Sequence, residues 1–382
     1  MVATESKIAD IHTKLTSAER RINDALVDRR QEVRLIVQSL VLGEHVLLVA
    51  PPGTAKSMLA NCVGDLLASR TFRIQLSKTT EPDELLGPMD LEAFRAGRFL
   101  RRTQGRMPEA SVAILDEVFK GSSAVLNTML SMMQEGTFFD GERFAPVPLR
   151  SCIGTSNEFP DPENGGRELA AMFDRFLFRR VAKEVSGSKA VRQLLFGDTT
   201  PPTWSKEEQV HLDELKAARA EADRVKVNND VEEALLTLLL NLERKGVRPG
   251  DRRRRKAVDA VKCHAFLAGR TTAALSDLIA LRDVLWADPS QRDIVEEQTV
   301  EFADPFAAKL AEIRAAAIEI FDGLDVRKPD ELSQRTGRLQ TLISDLSKIK
   351  TPEAVELGEW IQNGLEDVRS KLLEFAHLGQ KK

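Results

Sequence analysis

The stretch that decides the fold is Ala50-Pro51-Pro52-Gly53-Thr54-Ala55-Lys56-Ser57. It follows the apolar run His45–Ala50, which has the character of a buried strand. It precedes Lys56–Arg70, where apolar residues recur every three or four positions, as in an amphipathic helix. A tight turn between a strand and a helix directs its backbone N–H groups inward at the positive end of the helix dipole. The pattern predicts a phosphate-binding P-loop.

We expect the nucleotide to contact Pro52, Gly53, Thr54, Ala55, Lys56, Ser57 and Met58. Lys56 would bind the β- and γ-phosphates of ATP, and Ser57 would ligate Mg²⁺. Two positions usually held by glycine are Ala50 and Ala55, and alanine costs little there if its φ is negative. The simpler alternative is a Pro-Gly turn before an ordinary helix.

A second motif lies at the end of the apolar strand candidate Ser111–Leu115, where Asp116 and Glu117 follow directly. Two adjacent carboxylates at the end of a buried strand are costly unless something uses them. Asp116 is expected to hold Mg²⁺ through water, and Glu117 to polarise the water that attacks the γ-phosphate. A surface Asp-Glu pair is the alternative, and the P-loop upstream argues against it.

Three further groups are candidates for the same chemistry. Asn157 ends Gly154-Thr155-Ser156-Asn157 and could position the attacking water, although a plain Ser-Asn turn is the alternative. Arg175 precedes a strand candidate, and Arg252–Arg255 form a basic run that ends in Lys256. Such a run is usually a solvated face or a nucleic-acid patch. In an ATPase, one lid arginine can bridge to the γ-phosphate and another can reach a neighbouring subunit's nucleotide.

Strand candidates alternate with helices as far as residue 187, which predicts an α/β fold with a doubly wound parallel five-stranded sheet. Glycine and proline then mark a linker over 188–205. Helical periodicity predicts a helical lid over 206–290, including a helix at Ser276–Leu285. A helical C-terminal extension is predicted over 291–382, with its own small core.

Composition sets broad limits on the function. The chain has 382 residues, 30% of them charged, and a net charge of −4, so nothing global indicates a nucleic-acid partner. Its N-terminus is polar and no apolar run could cross a bilayer, so we expect no membrane insertion. Cys62, Cys152 and Cys263 lie far apart without ligand-like spacing. A cytoplasmic location is the default expectation.

Together these motifs resemble the AAA+ ATPases, within them the MoxR family, and most closely its RavA branch, over roughly residues 10–290. The likeness rests on the P-loop and on five further segments: Glu81–Pro88, Leu115–Glu117 with Leu126–Leu130, Thr155–Glu158, Phe173–Phe176, and Gly250–Arg253 with Ala265–Arg270. It implies that Asn157 is the water-positioning sensor and Arg175 a finger acting on the neighbouring subunit. It also implies that Arg252 is the lid's sensor arginine, with Arg253 as the alternate.

The resemblance further implies two projecting segments and a mode of action. Glu81–Pro88 would open an insert directed at a ring pore, and Phe139–Leu149 would form a second hairpin, with Asp140-Gly141 at its turn. The family implies hexameric rings that use ATP and Mg²⁺ to remodel a client, chaperone-like, often with a partner that carries a von Willebrand factor A domain. The β-rich module of the RavA branch has no counterpart of that size in this sequence.

Two other functions compete with this interpretation. A magnesium-chelatase-type motor subunit is a close structural cousin and would need a companion catalytic subunit. A nucleic-acid motor is favoured by the basic run Arg252–Arg255. The acidic net charge and the lack of a zinc-binding or recognisable DNA-binding motif argue against it.

Overall fold

The computed structural model describes residues 2–160, 166–322, 329–349 and 352–379. Packing divides the chain into two compact units, Met1–Thr299 and Val300–Lys382. The domain boundaries expected from sequence remain predictions. No helix in the described part is long and apolar enough to span a membrane.

The first unit is built on a five-stranded parallel sheet, as predicted. Its strands lie in the order β2-β3-β6-β1-β7, so the chain crosses over repeatedly and β2 and β7 form the edges. Strands β4 and β5 form a separate antiparallel hairpin, which matches the hairpin expected at Phe139–Leu149. The strand bounds are β1 Val46–Val49, β2 Thr71–Gln75, β3 Val112–Asp116, β4 Thr137–Phe139, β5 Phe144–Pro146, β6 Ser151–Ser156 and β7 Phe178–Val181.

Helices cover the sheet, build the lid and form the second unit. The central strands β1 and β6 are buried along their whole length, as strands covered on both faces must be. The helix bounds are α1 Val2–Ala25, α2 Arg30–Leu42, α3 Lys56–Leu66, α4 Pro82–Leu86, α5 Leu91–Arg95, α6 Ser123–Glu135, α7 Gly166–Arg175, α8 Ser188–Phe196, α9 Leu212–Arg224, α10 Asn229–Arg244, α11 Asp251–Leu267, α12 Arg292–Ala303, α13 Ala307–Asp322, α14 Pro329–Ser347 and α15 Pro352–Gly379.

Two predicted segments differ in the structure. The linker expected over 188–205 contains the helix α8, whose glycine and proline neighbours concealed its short apolar pattern. The helix expected at Ser276–Leu285 is a 3₁₀ helix, Leu275–Asp283. There the backbone N–H groups of Asp277 and Val284 each bond to the carbonyl three residues earlier. Its apolar spacing fits either kind of helix, because both turn in three to four residues.

The second unit is a helical bundle with a core of its own, as its apolar stripes predict. Helices α13, α14 and α15 contribute to this core, including Leu310, Leu339 and Ile361. Phe321 packs edge-on against Trp360, with their ring centroids 5.5 Å apart. The described residues of this core all belong to the second unit's own helices or to the turns between them.

A buried carboxyl between α1 and α2 makes the first unit's stability depend on pH. Burial raises the pKa of Glu19 from 4.5 to about 7, although Arg34, 3.3 Å away, lowers it. The folded state then binds more protons than the unfolded state between those two values, so stability falls as the pH rises through this window. Glu19→Gln should remove that slope and stabilise the protein above about pH 7.5 by up to about 3 kcal/mol.

Unfolding midpoints measured at about pH 5 and about pH 8 test this expectation. A matched control is Glu214→Gln, which also removes a carboxylate paired with α1. The Glu214 side chain is 30% exposed, and its carboxylate lies 3.0 Å from the Lys14 ammonium. Glu214→Gln should leave the dependence of the unfolding midpoint on pH close to that of the wild type. Parallel pH profiles of Glu19→Gln and the wild type would contradict the assignment.

Candidate active site

The site forms where three neighbouring strands of the sheet end. In the register of the sheet, Leu115 of β3 pairs with Gly154 of β6, and Val49 of β1 pairs with Ser156 of β6. The residues that follow these strands therefore meet at what we call the carboxyl edge of the sheet. The P-loop, Asp116–Glu117 and Asn157 all lie there, as parallel pairing requires.

Lys56 links the P-loop to the end of β6. Its ammonium donates to the carbonyls of Ala50 and Pro51 at 2.6 and 2.9 Å and to Oδ1 of Asn157 at 2.6 Å. Burial lowers the pKa of Lys56, while the carboxylates of Glu117 and Asp116 raise it. These three contacts use all the donors of the ammonium and hold it between the P-loop and the end of β6.

Asp116 collects hydrogen bonds from three elements. Its carboxylate accepts from the hydroxyl of Ser57 at 2.9 Å, from the hydroxyl of Thr155, and from the backbone N–H of Glu117 at 3.1 Å. The Ser57 hydroxyl and the Asp116 carboxylate are thus adjacent oxygen ligands. A hard divalent cation held by one or two protein oxygens and by substrate phosphates prefers such a pair, so the residues fit Mg²⁺. Thr155 is a contact that sequence reasoning did not assign.

Glu117 is held in a strained conformation beside Asn157. Its φ of 53° and ψ of 47° lie in the left-handed region, which is rare for a residue with a side chain. The Asn157 side-chain N–H donates to Oε1, and the Lys120 ammonium lies 3.3 Å from Oε2. Oε2 is buried and accepts no hydrogen bond from any residue that the structure describes. Such strain persists only where the surroundings impose it, and it fixes the direction of the carboxylate.

The two alanines of the P-loop differ in conformation. Three of the described non-glycine residues have a positive φ, and Ala50 is not one of them. The expectation of a negative φ therefore holds at Ala50. Ala55 has a φ of 61°, in the left-handed region. The expectation of a low cost is therefore wrong at Ala55, where the Cβ costs about 1 kcal/mol or more relative to glycine. The loop closes despite this cost, because Lys56 and the start of α3 fix its far side.

Arg175 lies far from the P-loop of its own chain. Its guanidinium bonds to Gln134 in the last turn of α6, and the neighbouring Met133 carbonyl is 3.1 Å from Nε2 of His45. His45 precedes β1, whereas Ala50 follows it, and about five residues of strand span roughly 16 Å. Arg175 therefore lies at the amino edge of the sheet, defined by His45 and Ser151 at the starts of β1 and β6.

Arg252 lies at the amino edge as well. Its guanidinium is 3.9 Å from the carboxylate of Glu44, and its side chain is 47% exposed. In this structure Arg252 therefore lies away from the P-loop of its own chain, and its role as the sensor arginine stays a prediction. The physical reason for this position is its neighbour, which holds the start of α11 against the segment that follows α7.

That neighbour, Arg253, is only 4% exposed and donates to four backbone carbonyls, those of Asp174, Phe176, Leu177 and Val284, at 2.9 to 3.2 Å. Burial lowers its pKa, while Asp174 raises it. Both terminal nitrogens of this buried guanidinium are held by backbone carbonyls, so Arg253 is a structural clamp. Of the two arginines considered for the sensor role, only Arg252 presents its charge to solvent.

Comparisons with known proteins fit this geometry. Residues 13–226 match the family model described as the MoxR domain in the MoxR-vWA-beta-propeller ternary systems, and residues 230–299 match an AAA lid domain. The first match alone covers more than half of the chain. The chain belongs to the MoxR family of AAA+ ATPases.

One relative of this MoxR-family chain extends the likeness over most of its length. An uncharacterized protein of Methanocaldococcus jannaschii is 30% identical over 93% of this chain and 96% of its own length. Chaperone MoxR1 of Mycobacterium tuberculosis is 27% identical over 46% of this chain and 45% of its own. The crystal structure of a provisionally assigned ATPase from Cytophaga hutchinsonii aligns with a TM-score of 0.61 at 19% identity, over 78% of this chain and 96% of that one. At that identity the likeness shows the fold alone.

A cavity beside the P-loop of this MoxR-family chain was not predicted from sequence. It has a volume of about 400 Å³ and is lined by the start of α2, the end of β7 and the lid, including Arg29, Val181 and Asp283. Arg29 also donates to the P-loop carbonyl of Thr54 at 3.1 Å, so the cavity and the loop share a wall. Arg180 lies 3.3 Å from Asp283 and 3.5 Å from Glu32, and these pairs join the lid to the core. No motif marks these residues, because they come from α2, β7 and the lid, which are far apart in the sequence.

Proposed function

We propose that this chain is the motor of an ATP-hydrolysing ring that remodels or activates a partner protein. The observation that carries the proposal is the split arrangement of the site. Lys56, Asp116, Glu117 and Asn157 meet at the carboxyl edge, whereas Arg175 lies at the amino edge of the same chain. A site with all of these groups requires two chains, and their contact is heterologous, which is the kind that closes into rings.

Each residue at the carboxyl edge has a role in ATP hydrolysis under this proposal. The backbone of Pro52–Met58 cradles the phosphates, Lys56 binds the β- and γ-phosphates, and the 400 Å³ cavity takes the nucleoside. Ser57 and Asp116 would hold Mg²⁺, which neutralises charge on the phosphates when bound. Glu117 accepts a proton from the attacking water, and Asn157 orients that water while it fixes the Glu117 carboxylate.

The arginines at the amino edge serve the neighbouring subunit. Among the described residues, Arg175 bonds to Gln134 and to Asp174 of the same helix, and both contacts exchange easily for a phosphate. Arg252 shares that edge and is exposed. We assign Arg175 as the finger and Arg252 as the sensor arginine, both acting on the next subunit's γ-phosphate. A hexameric ring, as in the family, is part of the proposal.

Exposed aromatic residues support action on a polypeptide. Phe94 and Phe99 in the insert between β2 and β3, and Phe139 and Phe144 in the β4–β5 hairpin, are 48–65% exposed. The two segments touch, since a Cβ built on Gly141 would lie 1.6 Å from the Phe99 carbonyl oxygen. An apolar patch of this kind favours binding to unfolded or exposed protein segments.

The partner is inferred from the family model, whose description names von Willebrand A and β-propeller components. We infer that a von Willebrand A-domain protein is the partner that the ring remodels or activates, in the cytoplasm. The likeness to the RavA branch remains a prediction within this proposal. Chaperone MoxR1, whose name describes a chaperone, supports the remodelling part.

Two measurements on the purified full chain test the proposal. We expect Mg²⁺-dependent phosphate release that rises more steeply than linearly with protein concentration, because each complete site needs two chains. Light scattering should show a ring-sized particle with ATP. Hydrolysis that is strictly linear in protein concentration, from a particle of monomer mass, would overturn the ring and the shared site together.

A further inference from the structure

The helix α8 presents an apolar face that nothing in its own chain covers within the described residues. Val191, Leu194 and Leu195 share one face at helical spacing and are 38%, 50% and 66% exposed, and Phe196 is 81% exposed. A nine-residue helix is marginal in water without packing on its apolar face. An exposed apolar patch of this kind marks an interaction site.

The chain enters the segment that carries α8 from the carboxyl edge of the sheet. Strand β7 is an edge strand beside β1, and the N–H of Ala182, which follows β7, donates to the Val49 carbonyl just before the P-loop. Helix α8 begins six residues later. The chain then returns to α3, where the Trp204 indole N–H donates to the Cys62 carbonyl at 3.2 Å. The segment that carries α8 therefore starts at the edge where, under the proposed function, a neighbouring chain must approach to bring its Arg175.

A complementary surface lies on the lid helix α10. Its inner face is buried through residues such as Leu235 and Leu238, whereas Leu236 and Leu240, one turn apart, are each 55% exposed. The exposed carboxylates Glu232 and Glu233 lie one turn before Leu236. Helix α10 carries four carboxylates and one arginine, while the described side chains of α8 include that of Arg192 and no carboxylate. The charged residues beside the two exposed apolar stripes thus have opposite signs.

We propose that α8 of one chain docks on the Leu236–Leu240 stripe of α10 in a second copy of this chain. The proposal rests on the assembly described under Proposed function and specifies one of its contacts. Pairing of two α8 helices is disfavoured because both are basic. A contact between different surfaces of two identical chains is heterologous, so it has the symmetry of a ring. It would couple the lid of one subunit to the nucleotide edge of the next.

Cysteine cross-linking between separately purified variants tests the docking directly. The native cysteines Cys62, Cys152 and Cys263 are free and buried, so they leave the surface without reactive thiols. Leu195→Cys mixed with Leu236→Cys, with ATP and a mild oxidant, should give a disulfide-linked dimer of the two variants. Leu195→Cys mixed with Leu91→Cys, at a site 65% exposed on the insert, should give none. A dimer of Leu195→Cys with itself in place of the mixed dimer would overturn the proposal.

Assembly measurements provide the second arm of the test. Leu195→Glu places a carboxylate in the proposed contact and should raise the protein concentration for half-assembly at least about tenfold. Gln193→Glu adds the same charge on the opposite side of α8 and should have little effect. Arg192→Glu and Glu233→Arg should each weaken assembly, and the double variant should recover most of it.

The outcomes separate this inference from the proposed function. If Leu195→Glu assembles and hydrolyses ATP like the wild type, the docking is wrong and the ring ATPase stands. If Leu195→Glu loses only the binding of a von Willebrand A-domain protein, α8 serves that partner, and the docking is again wrong. If the wild type neither assembles nor hydrolyses ATP, both proposals fail.

Discussion

Replacing Arg175 with alanine should lower ATP turnover by about a thousandfold and leave ATP binding nearly unchanged. The binding groups lie at the carboxyl edge, whereas Arg175 lies at the amino edge and bonds to Gln134. Its removal should therefore leave the nucleotide site of its own chain intact while depriving the neighbouring site of a positive charge. Steady-state phosphate release and equilibrium binding of a fluorescent ATP analogue measure the two effects separately.

A mixing experiment shows whether Arg175 acts on a second chain. Arg175→Ala and Glu117→Gln should each be inactive alone. In an equal random mixture, about half of the sites keep Glu117 and about half of these face a neighbour with Arg175, so about a quarter of wild-type turnover should return. A mixture that stays inactive would contradict action on the neighbour.

The matched control for this substitution is Arg70→Ala. Arg70 is an exposed arginine paired with Glu109 at 2.6 Å, at the start of an edge strand. Loss of an exposed ion pair changes stability by less than about 1 kcal/mol, so turnover should stay close to that of the wild type. Equal losses in Arg70→Ala and Arg175→Ala would indicate a general effect of lost charge.

Replacing Glu117 with glutamine should lower turnover by about 10²- to 10⁴-fold while ATP still binds. Glutamine has the same shape and its oxygen can still accept from Asn157, so the geometry of the edge should be kept. It has no carboxylate to take a proton from water. The variant should accumulate as an ATP-bound assembly, which light scattering after incubation with ATP and Mg²⁺ measures.

The control for Glu117 is Asp65→Asn, which neutralises an exposed carboxylate paired with Arg73 at 2.5 Å. It should hydrolyse ATP like the wild type. If Glu117→Gln also turns over at the wild-type rate, Glu117 is not the base, and its strained backbone needs another explanation.

Much of the site was predictable because its parts are local in sequence. The P-loop is continuous with β1 and α3, and Asp116–Glu117 directly end an apolar strand. Parallel pairing then brings the ends of β1, β3 and β6 to one edge without further information. The hydrogen bonds of Lys56 to Asn157 and of Ser57 to Asp116 join residues that the motifs had already singled out.

Other features were hidden because they depend on contacts between distant segments. The cavity wall at Arg29, Arg180 and Asp283 draws on three elements, and each residue by itself is an ordinary charged position. The helix α8 lay within a segment rich in glycine and proline, where a short apolar run carries little weight. The positive φ of Ala55 depends on how the loop closes, which residue type alone does not fix.

The sequence by itself determined the α/β fold, the phosphate loop and the pair of carboxylates, since these follow from hydrophobic periodicity and from short continuous motifs. Only the tertiary structure decided where the arginines lie. Arg253 bonds to the Leu177 carbonyl, 76 positions away, and this clamp turns Arg252 toward Glu44. Nothing within the run Arg252–Arg255 indicates which arginine is buried and which is exposed. The four side chains are identical, and they differ only in the carbonyls that the fold brings near each of them.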